Sequence, residues 1–137
     1  MNIELATLSV PGILAAMLSG MLLGAAWYSP LLFGKAWLKA LNKTSEELSL
    51  AAPAMIGSAV ACLISATALA IAVQAFGADS IFEGLALGAL LGIGLVATAL
   101  LSDNLFCDWG WQLYLIQAGY RVSYCLVMAM ILAGFPW

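Results

Sequence analysis

Histidine is absent from the 137 residues, and with it go the commonest metal and haem ligand, the usual general base and the side chain that titrates near neutral pH. Basic residues are almost as scarce. Lys and Arg total 4 against 7 Asp and Glu, which leaves neither a nucleic-acid footprint nor a polybasic run. The 3 cysteines, Cys62, Cys107 and Cys125, form no CxxC pair and no even-numbered framework, so they read as reduced packing residues. No segment sustains the period-two alternation of a transmembrane barrel strand. Asp103 and Asp108 flank Asn104 and Cys107, but two carboxylates without a third ligand specify no metal site and read as solvated loop residues. With no paired-acid motif and no nucleophile beside a base, the expectation is a protein without enzymatic activity, cofactor or metal.

What the chain has instead is apolar length. It is 65% hydrophobic and 8% charged, beyond what a water-soluble domain with a polar surface carries. A bilayer core of about 30 Å takes about 20 helical residues, and uninterrupted apolar stretches of that size cover 8–28, 54–76, 81–101 and 110–135. The fold class expected is all-α: one integral membrane bundle of four helices, in a single domain. Residues 1–10 hold Glu4 and no Lys or Arg, so the first stretch is expected to be a retained span rather than a secretory signal. Lys35, Lys39 and Lys43 all fall in the first loop, while the other two loops have no Lys or Arg. The positive-inside bias puts that loop in the cytoplasm and both termini on the outer side.

The first loop carries structure of its own. Ser29 as N-cap and Pro30 at the first helical position predict a short helix over 31–41. Its lysines recur every four residues, and Phe33, Trp37, Leu38 and Leu41 cover much of the remainder, a pattern suited to the membrane interface. Thr44 and Glu47 form a capping box, after which Pro53 restarts the second span. The turn Gly77-Ala78-Asp79-Ser80 predicts an antiparallel hairpin of spans two and three. Residues 102–109 are expected to be the loop before span four. Trp27, Tyr28, Trp37, Trp109, Trp111 and Trp137 suit the interfacial aromatic belt, and Glu83 suits the positive end of span three.

Small residues mark helix contacts: Gly20 and Gly24 on span one, Gly57, Ala61 and Ser65 on span two, and Gly84, Gly88 and Gly92 on span three. Such ridges let backbones approach within one protomer, with a dimer face as the alternative. Span four carries a polar stripe. Tyr114, Gln117, Arg121, Tyr124 and Met128 step by three and four along one helix face, expected to point into protein, with Tyr120 beside it.

Arg121 is the one intramembrane charge on this stripe, and a charge at that depth is a functional-site hypothesis when a partner can be named. A turn centred near Cys107 sets Gly92 opposite Arg121, where a glycine would leave room for a head group. Asp103 lies ~16 Å from Gly92 along the axis and Glu83 ~14 Å the other way, too far for a salt bridge. Three partners stay open: water reached by snorkelling beside Tyr114, Tyr120 or Gln117; neutral acceptors such as Tyr124, Gln117 and Ser123; or an external anion, lipid phosphate or carboxylate, that matches the guanidinium fork.

The run Trp27-Tyr28-Ser29-Pro30-Leu31-Leu32-Phe33-Gly34-Lys35-Ala36-Trp37, the triplet Ala118-Gly119-Tyr120 and the four spans in this order resemble the bacterial integral membrane proteins of domain-of-unknown-function family 1761. The resemblance covers nearly the whole chain and implies a small four-helix protein of the bacterial inner membrane, with no established activity and no catalytic residues. The expectation is a non-enzymatic subunit, oligomeric or accessory to another membrane protein, whose fourth span binds lipid or a small solute. The alternative is a small transporter or channel for an anionic solute, against which stand few polar residues elsewhere and no midspan break such as an unwound Gly-Pro pair.

Overall fold

The computed structural model describes residues 3–48 and 52–135; Trp137 lies outside them. After a 3₁₀ turn at Leu5–Thr7, the chain forms α1 (Val10–Trp27), α2 (Gly34–Leu41), α3 (Ala52–Phe76), α4 (Ile81–Leu91), a π-helical segment (Gly92–Ala97), α5 (Thr98–Cys107) and α6 (Trp111–Gly134). The third span is continuous from Ile81 to Cys107, so 4 helices among the described residues are long and apolar enough to cross a membrane. This is a four-helix membrane architecture. At the helical rise α1 is ~27 Å long, while α3, the third span and α6 reach ~36–40 Å.

The starts of these helices are set by side chains. Ser9 caps α1, its hydroxyl oxygen accepting the Gly12 N–H at 3.1 Å. Ser80 caps α4 by accepting the Glu83 N–H at 3.3 Å, and the Glu83 carboxylate accepts the Asp79 N–H at 2.9 Å. In the first loop Thr44 N–H donates to the Glu47 carboxylate at 2.7 Å, and Glu47 N–H to the Thr44 hydroxyl at 3.4 Å.

Two expected boundaries are corrected. Ser29 is not the cap of the interfacial helix. Its hydroxyl donates back to the Ala26 carbonyl at 2.7 Å, Phe33 N–H reaches the Trp27 carbonyl at 3.0 Å, and residues 29–33 serve as the C-terminal turn of α1. The helix therefore begins at Gly34, where a Cβ would lie 2.7 Å from the Ser29 carbonyl oxygen. The third span also runs to Cys107 rather than 101, so Asp103, Asn104 and Cys107 are helical. The break falls at Asp108 (φ 53°) and Gly110 (φ 88°), where the backbone turns left-handed.

Chain order does not decide which helices pack. α3 and α4 follow each other across a short turn yet scarcely touch, so the expected hairpin is a connection and not a packing unit. Instead α6 is central, in contact with α1, α2, α3, α4 and α5. The glycine ridge of α4 explains this. A Cβ at Gly84 would lie 2.5 Å from the Ala129 carbonyl oxygen, and one at Gly88 2.7 Å from that of Cys125. Only glycine permits this backbone spacing, and close packing replaces the hydrophobic drive that lipid does not supply. On the other side Gly24 admits the Tyr120 hydroxyl, where a Cβ would come within 2.8 Å of its oxygen. The third ridge is different: Gly57 is exposed, and a Cβ there would meet nothing within 4 Å.

The third span is continuous but not a regular α-helix. Between Gly92 and Ala97 it widens to π geometry, which disturbs the regular carbonyl pairing in a medium without water. Two hydroxyls compensate. Thr98 donates to the Gly94 and Leu95 carbonyls at 2.8 and 3.0 Å, and Tyr114 of α6 donates to the Ala97 carbonyl at 3.1 Å. Beyond the π segment α5 is largely exposed except for Asn104, whose Oδ1 is buried without a hydrogen-bond partner among the described residues.

Gly88→Ala should therefore destabilise the folded protein by about 1–3 kcal/mol through overpacking, and Gly57→Ala should cost nothing. Thermal unfolding of both variants in an uncharged detergent compares them directly; equal melting temperatures would contradict the ridge assignment.

Candidate functional site

The two sequence motifs that stand out, the Trp27-Tyr28-Ser29-Pro30 run and Ala118-Gly119-Tyr120, meet in space. Trp27 ends α1 and lays its ring on Gly119 of α6, where a Cβ would lie 2.9 Å from the indole. Its Nε1–H donates to the Ile116 carbonyl at 3.0 Å. Tyr28 sets its ring edge-on to Tyr120 at 5.3 Å and stacks at a tilt on Trp37 of α2 at 4.8 Å. Phe33 closes the group against Trp27 at 4.7 Å. α2 is thus tied to α6 through aromatic rings rather than through charges. Its Lys35 and Lys39 stay exposed, as do Lys43, Pro30, Leu31 and Leu32.

Tyr120 and Tyr124 continue this cluster towards the middle of the bundle. Their rings stack at 5.5 Å. The Tyr120 hydroxyl donates to the Gly20 carbonyl at 3.1 Å, and that of Tyr124 to the Ser65 hydroxyl at 2.8 Å. Together with the Trp27 indole on Ile116, these bonds join α6 to α1 by two polar contacts and to α3 by one among the described residues.

Arg121 lies against this pair. Its guanidinium carbon is 5.3 Å from the Tyr120 ring centre and 5.6 Å from that of Tyr124, within cation–π range. The side chain is half-buried and has no hydrogen bond or salt bridge to the described residues. Its charge is felt at Tyr28, just outside α1: burial pushes that phenol above its ordinary value, and the Arg121 charge pulls the other way. Arg121 thus sits beside the residues that lead into α2, and its N–H donors remain available.

Gly92 does not open space next to it, as the sequence register suggested. A Cβ at Gly92 would meet Cys125 Cβ at 3.1 Å and Val122 Cα at 3.3 Å, so the glycine is consumed in backbone contact. The stripe on α6 splits by depth. Tyr124 and Met128 are buried, Tyr114 holds the π segment, and Gln117 and Arg121 are half-buried with no hydrogen bond among the described residues. The cause is the course of α3. Residues 52–58 of that helix are all exposed, so α3 leaves the α2-side half of α6 uncovered.

Two clefts form elsewhere. One of about 400 Å³ opens at the termini end, beside Thr7, Ser9, Gln74, Asp79 and Leu132. The other, about 260 Å³, lies between the end of α3 and the start of α4. Neither includes Arg121. Among the described residues no group of three Cys, Asp or Glu is placed to hold a metal.

Residues 11–133 match the family described as "Protein of unknown function (DUF1761)", nearly the whole chain. The chain belongs to the DUF1761 family. No curated protein and no solved structure matches it.

For this DUF1761 protein the geometry gives the two motifs a joint role that their sequence separation hides. Gly119 is small because the Trp27 ring occupies the place of its side chain, and the Ile116 carbonyl accepts from the indole across 89 positions. Ser65 also escaped assignment as the partner of Tyr124, although its position on a small-residue ridge marked a contact. Nothing in the sequence distinguished the Ile116 carbonyl, since every residue has one.

Trp27→Phe keeps a ring and removes the N–H, so it should cost about 1 kcal/mol. Gly119→Ala should destabilise the protein with Trp27 present and much less in a Trp27→Leu background. A double-mutant cycle by thermal unfolding checks this, and additive effects would mean that the two side chains do not compete for the same space.

Proposed function

We propose that this DUF1761 protein is a non-enzymatic membrane protein that holds an anionic group, a phosphate or carboxylate, at Arg121 on the uncovered half of α6. The observation that carries the reading is the guanidinium itself: half-buried, steadied by two tyrosine rings, and without an acceptor among the described residues. Tyrosine faces balance part of its charge but take none of its N–H donors in the plane of the fork. A donor left unmatched at membrane depth costs free energy, and an oxyanion that accepts two parallel N–H bonds offsets that cost. The tyrosines then act as positioning residues, since their hydroxyls are already engaged with α1 and α3.

The α2 end faces the cytoplasm in this reading, because Lys35, Lys39 and Lys43 lie on that side. Cys107 ends α5 on the same side and is exposed, while Cys62 and Cys125 are buried. A membrane-impermeant maleimide should label Cys107 in inside-out vesicles and leave it unlabelled in right-side-out ones. The opposite pattern would reverse the orientation.

The anion site is tested with protein in an uncharged detergent titrated with inorganic phosphate, acetate and phosphatidylglycerol, read by tryptophan fluorescence. At least one should bind saturably, and Arg121→Gln should weaken it tenfold or more. No saturable binding to the wild type, or equal binding to the variant, would remove the site. The π segment favours one rival, because an irregular third span can change its seating on α6. Flux of phosphate or acetate into proteoliposomes that depends on Arg121 would replace binding by transport.

A further inference from the structure

We infer that the anion at Arg121 is the phosphate of a membrane phospholipid from the leaflet that contains α2, and that the lysines of α2 select an acidic headgroup. The inference rests on the anion site proposed above and names its ligand class. A soluble anion is held by a concave pocket that buries most of its surface. The clefts of about 400 and 260 Å³ have other linings, and neither includes Arg121. The site is a half-covered helix face, open sideways. A lipid can approach it laterally with its phosphate already at the interface.

Three further observations fix the level and the surroundings. Trp37 of α2 stacks on Tyr28, Tyr28 meets Tyr120, and Arg121 lies on Tyr120, so three ring contacts of 4.8, 5.3 and 5.3 Å lead from the interfacial helix to the guanidinium. That helix is amphipathic, with Lys35 and Lys39 exposed and Trp37, Leu38 and Leu41 half-buried, the pattern of a helix in the headgroup plane. The phosphate layer and Arg121 are thus brought within the reach of a long side chain.

The third observation is the wall. α3 and α6 run in the same direction, and the Tyr124–Ser65 bond sets their register, so residues 52–61 of α3 lie at the level of the first turns of α6. Met55, Ile56 and Val60 there are exposed by 61, 67 and 52%. These apolar side chains suit acyl chains. Exposed lysines near the phosphate plane attract net negative charge, whereas the guanidinium fork takes any phosphate diester. The two parts of the site therefore have separable effects, retention by Arg121 and headgroup preference by Lys35 and Lys39.

The test uses the full chain extracted in mild detergent from membranes of mixed phosphatidylglycerol and phosphatidylcholine, with bound lipid counted by native mass spectrometry during stepwise delipidation. Wild type should keep one phospholipid after the others are stripped, enriched in phosphatidylglycerol. Arg121→Gln should lose it at least tenfold more readily. The Lys35→Gln/Lys39→Gln double variant should keep a phospholipid but lose the enrichment. Should Arg121→Gln fail to fold, Arg121→Lys gives the same reading, since a point charge without the fork should retain the lipid several-fold less well. Retention unchanged by Arg121 substitution overturns the inference. Saturable, Arg121-dependent binding of phosphate or acetate with no retained phospholipid also overturns it while leaving the anion site standing. Failure of every anion to bind removes both.

Discussion

Lipid tails are as apolar as leucine, so a helix in a bilayer gains little by burying leucine against its neighbour, and association depends on how closely backbones can come together. In this protein that condition is met along α6. Glycines of α4 admit the Ala129 and Cys125 carbonyls, Gly24 of α1 admits Tyr120, and Gly119 of α6 itself admits Trp27. The same contacts explain why α6, last in the chain, is central, and why α3 and α4 stay apart despite their short turn. Sequence neighbours are tied at their ends, but faces pair where side chains are missing.

Close approach also determines which polar groups can be satisfied. Tyr120 and Tyr124 reach the Gly20 carbonyl and the Ser65 hydroxyl because the helices that carry these partners are near enough. The π segment uses the same solution, with Tyr114 and Thr98 serving carbonyls of the irregular stretch. Without water, each such donor replaces a hydration shell. Arg121 stands outside this economy of neutral pairs: it has rings beside it but no acceptor among the described residues. That mismatch ties the anion-binding reading to the packing of the bundle, since α3 covers Tyr124 and Met128 but leaves the first turns of α6 open.

The aromatic group at the α2 end joins the two themes. Trp27 is both a close-packed ring on Gly119 and the donor to a backbone carbonyl, and Tyr28 carries the contact on to Trp37 and Tyr120. α2 is thereby fastened to the central span at a defined height. The height matters because it brings Arg121 to the level of the lysine-bearing helix rather than to the centre of an isolated span.

The sequence by itself determined the four apolar spans, a short helix between the first two, the Thr44–Glu47 capping box and the polar face of the last helix, because each follows from local length, periodicity or a hydrogen bond over three residues. Particular residues were legible as contacts, Gly84 and Gly88 above all, though not what they would touch. Only the tertiary structure decided that Ser29 closes α1 instead of opening α2, that the third span continues through Asp103 with a π segment inside it, and that Gly92 is filled by Cys125 and Val122. Only the tertiary structure likewise joined Trp27 to Gly119. Those outcomes depend on which helix faces meet and at what height, a long-range choice made by backbone spacing, and local sequence encodes the means of close approach without naming the partner.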